Sequence, residues 1–240
     1  MKDLVITLFL IIGLGFASCT PVYYKPDTHN VPLISQKGET NLTFSGNPEQ
    51  LGFEGAFGAA ENFAIKANGS LFIPSYDEDF DGGSGRLIEF GAGYFLPIKN
   101  GFVFEAYGIL GFGSMENHFP STIINQEPPR KGEISANFSR VGVQPNFGYK
   151  SKYFSAAVSS RIVGLSYKKI EGDLLKDEIY EVVYLEDNSS HFLIEPALTL
   201  RAGIDKFKFQ VQLGYSANLT NPNFKQENSF LTIGLNFNFL

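Results

Sequence analysis

The feature that most constrains this chain is an alternation close to its C-terminus. In "SFLTIGLNFNFL", Leu231, Ile233, Leu235, Phe237 and Phe239 alternate with Thr232, Gly234, Asn236 and Asn238. A period of two puts successive side chains on opposite faces of an extended strand, one face apolar and one polar. The stretch before it repeats the pattern, with Phe207, Phe209, Val211, Leu213 and Tyr215 set against Lys208, Gln210, Gln212, Gly214 and Ser216. Carried backwards, the same test gives ten candidate strands, at 39–45, 50–60, 63–73, 86–96, 101–114, 134–149, 153–166, 191–203, 206–217 and 229–239, with eight strands as the alternative count. Composition agrees with an all-β chain: 25 glycines, 24 phenylalanines and 11 tyrosines, and few helix-building runs.

The connections alternate in length. Short ones lie at Glu61–Asn62, 98–100, 150–152 and near Asp205, and longer ones at 74–85, 115–133, 167–190 and 218–228. One end of the sheet therefore carries tight turns and the other carries loops, and an even strand count puts both termini at the tight-turn end. This is the pattern of an antiparallel up-and-down transmembrane β-barrel. A soluble barrel would alternate as well, with its apolar face turned inward.

Three observations turn the apolar face to lipid. Glu54, Lys66, Glu89, Glu105, Arg140, Arg161, Glu195, Arg201 and Lys208 share the polar face, and the apolar face carries no charge apart from Arg86 at a strand end. The remaining polar-face positions are mostly small or amide residues such as Gly52, Gly58, Asn68, Ser70, Gly93 and Gln144, which suit a crowded lumen better than a solvated surface. Aromatics gather beside the tight turns at Phe63, Tyr94, Phe95, Phe102, Phe147, Tyr149, Tyr153, Phe154 and Phe207, as an interfacial girdle would. The basic and acidic lumen residues nearly cancel, so a lumen plugged by a network of salt bridges is expected. A narrow channel is one alternative, and a lipid-tethered soluble barrel that binds an apolar ligand inside is another.

The N-terminus reads separately. Residues 1–18 hold a lysine, an apolar run from Leu4 to Phe16 and then Ala17 and Ser18, the make-up of an export signal too short to span a bilayer. Cys19 is the only cysteine, so the exported chain has no disulfide framework. Residues 19–37, with three prolines and no period, read as an extended tether on the periplasmic side. Residues 38–240 form the barrel domain. The net charge of −6 gives no indication of nucleic-acid binding.

The stretch "FASC" resembles the lipobox of bacterial lipoproteins, which implies a covalent lipid, with palmitate among its acyl groups, on Cys19. The ending "LTIGLNFNFL" resembles the C-terminal strand through which outer-membrane proteins meet the barrel-assembly machinery. Together with "SCTPVYYKPDTHNVPLISQKGE", it makes the chain similar to lipid-anchored outer-membrane barrel proteins of the Bacteroidetes type. That resemblance implies contact with outer-membrane lipids and with the lipoprotein-processing machinery; with both barrel termini at the tight-turn end, the lipid anchor is expected on the periplasmic side. It implies no catalytic residues.

Within the long loops, "YDEDFDGGSG" sets Asp77, Asp79, Asp81 and Gly82 in a spacing that can wrap calcium, although the twelfth position is Ile88 rather than glutamate. His118 and His191 lie in or beside outer loops, and Glu186, Asp187, Ser189 and Ser190 adjoin the second. No spacing joins them as nucleophile, base and orienter. The chain is expected to be no enzyme, with a structural or surface-interaction role.

Overall fold

The computed structural model describes residues 21–74, 82–121, 130–176 and 178–240. Ten strands form a closed antiparallel barrel. They are β1 (Thr40–Asn47), β2 (Gln50–Ala60), β3 (Phe63–Phe72), β4 (Gly82–Pro97), β5 (Phe102–Ser121), β6 (Arg130–Lys150), β7 (Phe154–Gly172), β8 (Ser190–Ile204), β9 (Phe207–Tyr215) and β10 (Ser229–Phe239). Each pairs with its neighbour in sequence, and β10 returns to β1, with Thr40 opposite Phe239 and Gly46 opposite Ile233. Closure leaves no sheet edge, which a strand-built wall in lipid requires.

The period of two becomes two environments. On β5, Phe102, Phe104, Leu110 and Phe112 are exposed, whereas Val103, Glu105, Tyr107 and Ile109 are buried. Exposed outward residues recur around the barrel, among them Phe90, Val141, Val158, Leu198, Phe209 and Ile233. The belt stops sharply at the loop end. The row formed by Ile88 and Phe112 gives way to Arg86, Ser114 and Asn137, and then to Ser84, Glu116 and Ser135. On β5 the belt therefore covers 102–112, within the roughly 9 to 11 residues that a tilted strand needs to cross hydrocarbon. At the tight-turn end, Phe63, Tyr94, Phe102, Phe147, Tyr153 and Phe154 are exposed as an aromatic girdle. Phe95 departs from that expectation: it points inward at 1% exposure, because its neighbours Tyr94 and Leu96 hold the outward positions.

β4 to β7 run further at the loop end than the alternation indicates, so 115–121, 130–133 and 167–172 are strand rather than loop. Above the belt the contrast inverts: the outer face turns polar at Ser114 and Glu116, while Met115, Phe119, Ile134 and Phe138 pack inward, so the alternation of the belt does not carry through. A short helix, α1 (Glu181–Asp187), caps this end. It buries Leu185, which belongs to the apolar cluster of Tyr23, Tyr167, Phe224 and their neighbours.

Candidate functional site: a lumen filled by the N-terminal segment

Small residues on the inner face leave room inside the barrel, and the chain fills that room itself. Asp27, Thr28, His29, Asn30, Val31, Leu33 and Ile34 are each exposed by 3% or less. At the loop end, Tyr23 N–H donates to Lys225 O (2.8 Å) and Glu227 N–H donates to Tyr24 O (2.9 Å). There Lys25 Nζ lies 3.1 Å from Glu49 and 2.7 Å from Glu227. Burial of Lys25 favours its neutral form, but the two carboxylates outweigh this and hold the amine above its ordinary pKa. At the turn end, Lys150 Nζ donates to Leu33 O (3.1 Å) and Gly38 N–H to Gly58 O (2.8 Å). The segment thus threads from the loop end to the turn end and leads into β1.

Over its described part, 21–37, the expected extended tether lies inside the barrel instead. A proline-containing stretch without a period looks like a linker, but its polar backbone finds partners on the lumen wall. Two wall positions need glycine for this approach. A Cβ on Gly58 would sit 2.5 Å from Gln36 O, and one on Gly148 would sit 2.8 Å from the Leu33 side chain.

Asp27 holds the centre. Its Oδ1 accepts from Arg140 (2.8 Å) and Arg161 (2.7 Å), its Oδ2 from Ser70 Oγ (3.1 Å), and its backbone oxygen from Arg161 (2.7 Å). Arg140 Nε donates to Glu89 (2.7 Å) and Arg161 Nε to Glu195 (2.9 Å). Tyr24 links the two halves: its hydroxyl donates to Glu195 (2.8 Å) and accepts from Arg140 (3.1 Å). Buried charges are tolerated when paired and hydrogen-bonded in this way.

The other expected lumen residues bind the segment or its neighbours rather than each other. Lys66 donates to Gln144 (2.7 Å) and to Asn30 O (3.3 Å). Glu105 accepts from Ile34 N–H (2.8 Å) and Asn146 (2.9 Å). Arg201 donates to Val31 O (2.7 Å) and Gln210 (2.7 Å). Glu54 accepts from Ser45 Oγ (2.7 Å), which also lies 3.2 Å from Thr28 Oγ1. Lys208 stands apart near the turn end, donating to Asp205 O at 3.4 Å. His29 is clamped by Gln212, which accepts from its N–H (2.6 Å) and donates to its carbonyl (3.0 Å). Asp27, Tyr24 and His29 were missed as site residues because they lie outside the periodic region. The one sequence signal for them is the abundance of small lumen residues, which leaves a volume to be filled.

The remaining candidates do not converge. His191 belongs to the loop-end lid: its Nε2 is 2.7 Å from Asn188 O, its Nδ1 is 3.1 Å from Asn218, and its ring lies 3.9 Å from that of Phe224. His118 points outward, with Nε2 2.6 Å from Glu116. Glu116, His118 and Glu133 bring ligand atoms within 4.8 Å of one another, a grouping that the sequence reading did not make. The calcium candidates Asp77, Asp79 and Asp81 lie outside the described residues.

No family model matches the chain. No curated protein matches it either. Among solved structures it is similar to "LpxR from Salmonella typhimurium", at 9% identity and a TM-score of 0.36, covering 85% of this chain and 100% of that one. The expectation that this chain is no enzyme is withdrawn. A likeness this distant brings no activity to the chain.

Proposed function

We propose that this chain is an outer-membrane lipoprotein whose barrel is closed by its own N-terminal segment, with a structural or surface-interaction role at the loop end. The threading of residues 21–37 through the lumen, fixed at Asp27 by Arg140 and Arg161, supports this reading. A lumen so occupied is a poor channel.

The threading also changes where the anchor belongs. The described chain begins at the loop end, where Val22 O accepts from Asn117 (3.0 Å), and Cys19 precedes Pro21 by two positions in sequence. With tight turns on the periplasmic side, as in outer-membrane barrels, a lipid on Cys19 would enter the leaflet at the cell surface. The periplasmic anchor expected from the strand count is replaced by this one. Lys25→Cys in the otherwise native chain tests it with a membrane-impermeant maleimide, alongside metabolic acyl labelling. Labelling of intact cells is expected, with acylation lost in Cys19→Ser. Labelling only after lysis would refute the topology, and acylation that survives Cys19→Ser would refute the anchor.

A further inference from the structure

The outer wall carries a depression at the loop-side edge of the belt. Phe44, Phe53, Gly69, Ile88 and Phe112 are successive cross-strand partners, and Gly46, Leu51, Leu71, Arg86 and Ser114 form the next row. Gly69 leaves the first row bare, since a Cβ there would meet nothing within 4 Å. β1 and β2 meet in their turn just past the second row, while β4 to β6 rise above it. The result is a groove of about 1530 Å³. A polar hollow of about 460 Å³ continues from it, sharing Leu71, Arg86, Ser114 and Asn137.

Lys169 reaches this hollow through a break in the strand. The pairing of β6 with β7 shifts register between Ser135 and Asn137, and Lys169 has φ of 52°. The bulge exposes Lys168 and Lys169 in succession, while Ile170 packs against the interior cluster. Bulges re-aim side chains in this manner, and a lysine held at positive φ is strained. Arg86 Nε donates to Ser114 Oγ at 3.2 Å, and among the described residues Arg86 has no carboxylate partner. Two carboxylates line the hollow: Glu171, and Glu116, which is held by His118.

We propose that groove and hollow together bind a phosphorylated lipid of the leaflet at the loop end. Its acyl chains lie across Gly69, and its phosphate meets Arg86 and Lys169, with Lys168 beside them. The occupant follows from position. This wall faces acyl chains, and the cations stand where the belt ends, at headgroup level. Arg86 offers the forked donor geometry that suits phosphate oxygens.

The test uses the full chain in nanodiscs of equal phosphatidylglycerol and phosphatidylcholine, with retained lipids counted by native mass spectrometry. The wild type should retain phosphatidylglycerol preferentially. Arg86→Gln with Lys169→Gln should cut that preference about tenfold, the scale of one charge-assisted hydrogen bond, and Arg86→Lys should restore part of it. Gly69→Phe, which fills the groove without touching charge, should reduce retention of the bound lipid. Heat-modifiable gel migration confirms that each variant is folded. Equal retention of both lipids by the wild type, or unchanged retention in both variants, would overturn the proposal. So would displacement of the lipid by glycerol phosphate, which has no acyl chains.

Discussion

Replacing Asp27 by alanine probes the lumen most sharply. The change removes an acceptor shared by Arg140 (2.8 Å) and Arg161 (2.7 Å) and the partner of Ser70 (3.1 Å), all at positions fully or nearly fully buried. Each guanidinium keeps one carboxylate, Glu89 or Glu195. Both still lose a charge-assisted bond, each worth about 1.5–3 kcal/mol in isolation. Removing one partner from a buried ion network costs about 3–5 kcal/mol in total, and that is the loss expected here. Lys25→Gln is the control. Its pairs with Glu49 and Glu227 are partly solvated, so its cost should stay at about 0.2–1 kcal/mol. The chain has no tryptophan, so urea unfolding in detergent is followed by far-UV circular dichroism, with hydrogen exchange at His29 and Ile34 reporting on the segment. Equal effects of the two substitutions would show that the segment is not fixed at Asp27.

Two further outcomes follow from the same wall and lumen. Val143 is 51% exposed and pairs with Gly108 near the middle of the belt, so Val143→Arg should cost about 2–4 kcal/mol when the barrel folds into lipid vesicles. A cost near zero would mean that this face does not meet hydrocarbon. In planar bilayers the full chain should carry no steady current, and a stable open level in the intact protein would refute the occupied lumen.

The barrel was legible because its signal is geometric. A strand with one face in lipid and one in a polar lumen must alternate, so β2, β3, β9 and β10 could be placed nearly to the residue. The signal failed where that contrast failed. Above Phe112 the outer face of β5 turns polar while Met115 and Phe119 pack inward among glycine, asparagine and serine, so the belt's alternation is lost and the upper parts of β4 to β7 read as loops. The charged lumen residues were recognisable by sharing one face, but their partners were not. Glu105 meets Ile34 N–H and Arg201 meets Val31 O, and such backbone partners leave no residue-type signature. The N-terminal segment was misread for the same reason: a chain satisfied by the wall of a barrel needs no period of its own. The lipid groove was hidden because it depends on Gly46 and Gly69 falling in adjacent rows and on a bulge at Lys169, all set by cross-strand register.

The N-terminal segment lies inside the barrel, and one cross-link tests that directly. Thr28 Oγ1 and Thr232 Oγ1 are 3.4 Å apart although the residues are 204 positions apart in sequence. Thr28→Cys with Thr232→Cys, in a Cys19→Ser background to leave two thiols, brings together side chains close enough for a disulfide. Mass spectrometry of the folded, oxidised protein should find the peptide containing position 28 joined to the one containing position 232. Two free thiols, both open to a bulky maleimide in the folded barrel, would contradict the threaded lumen.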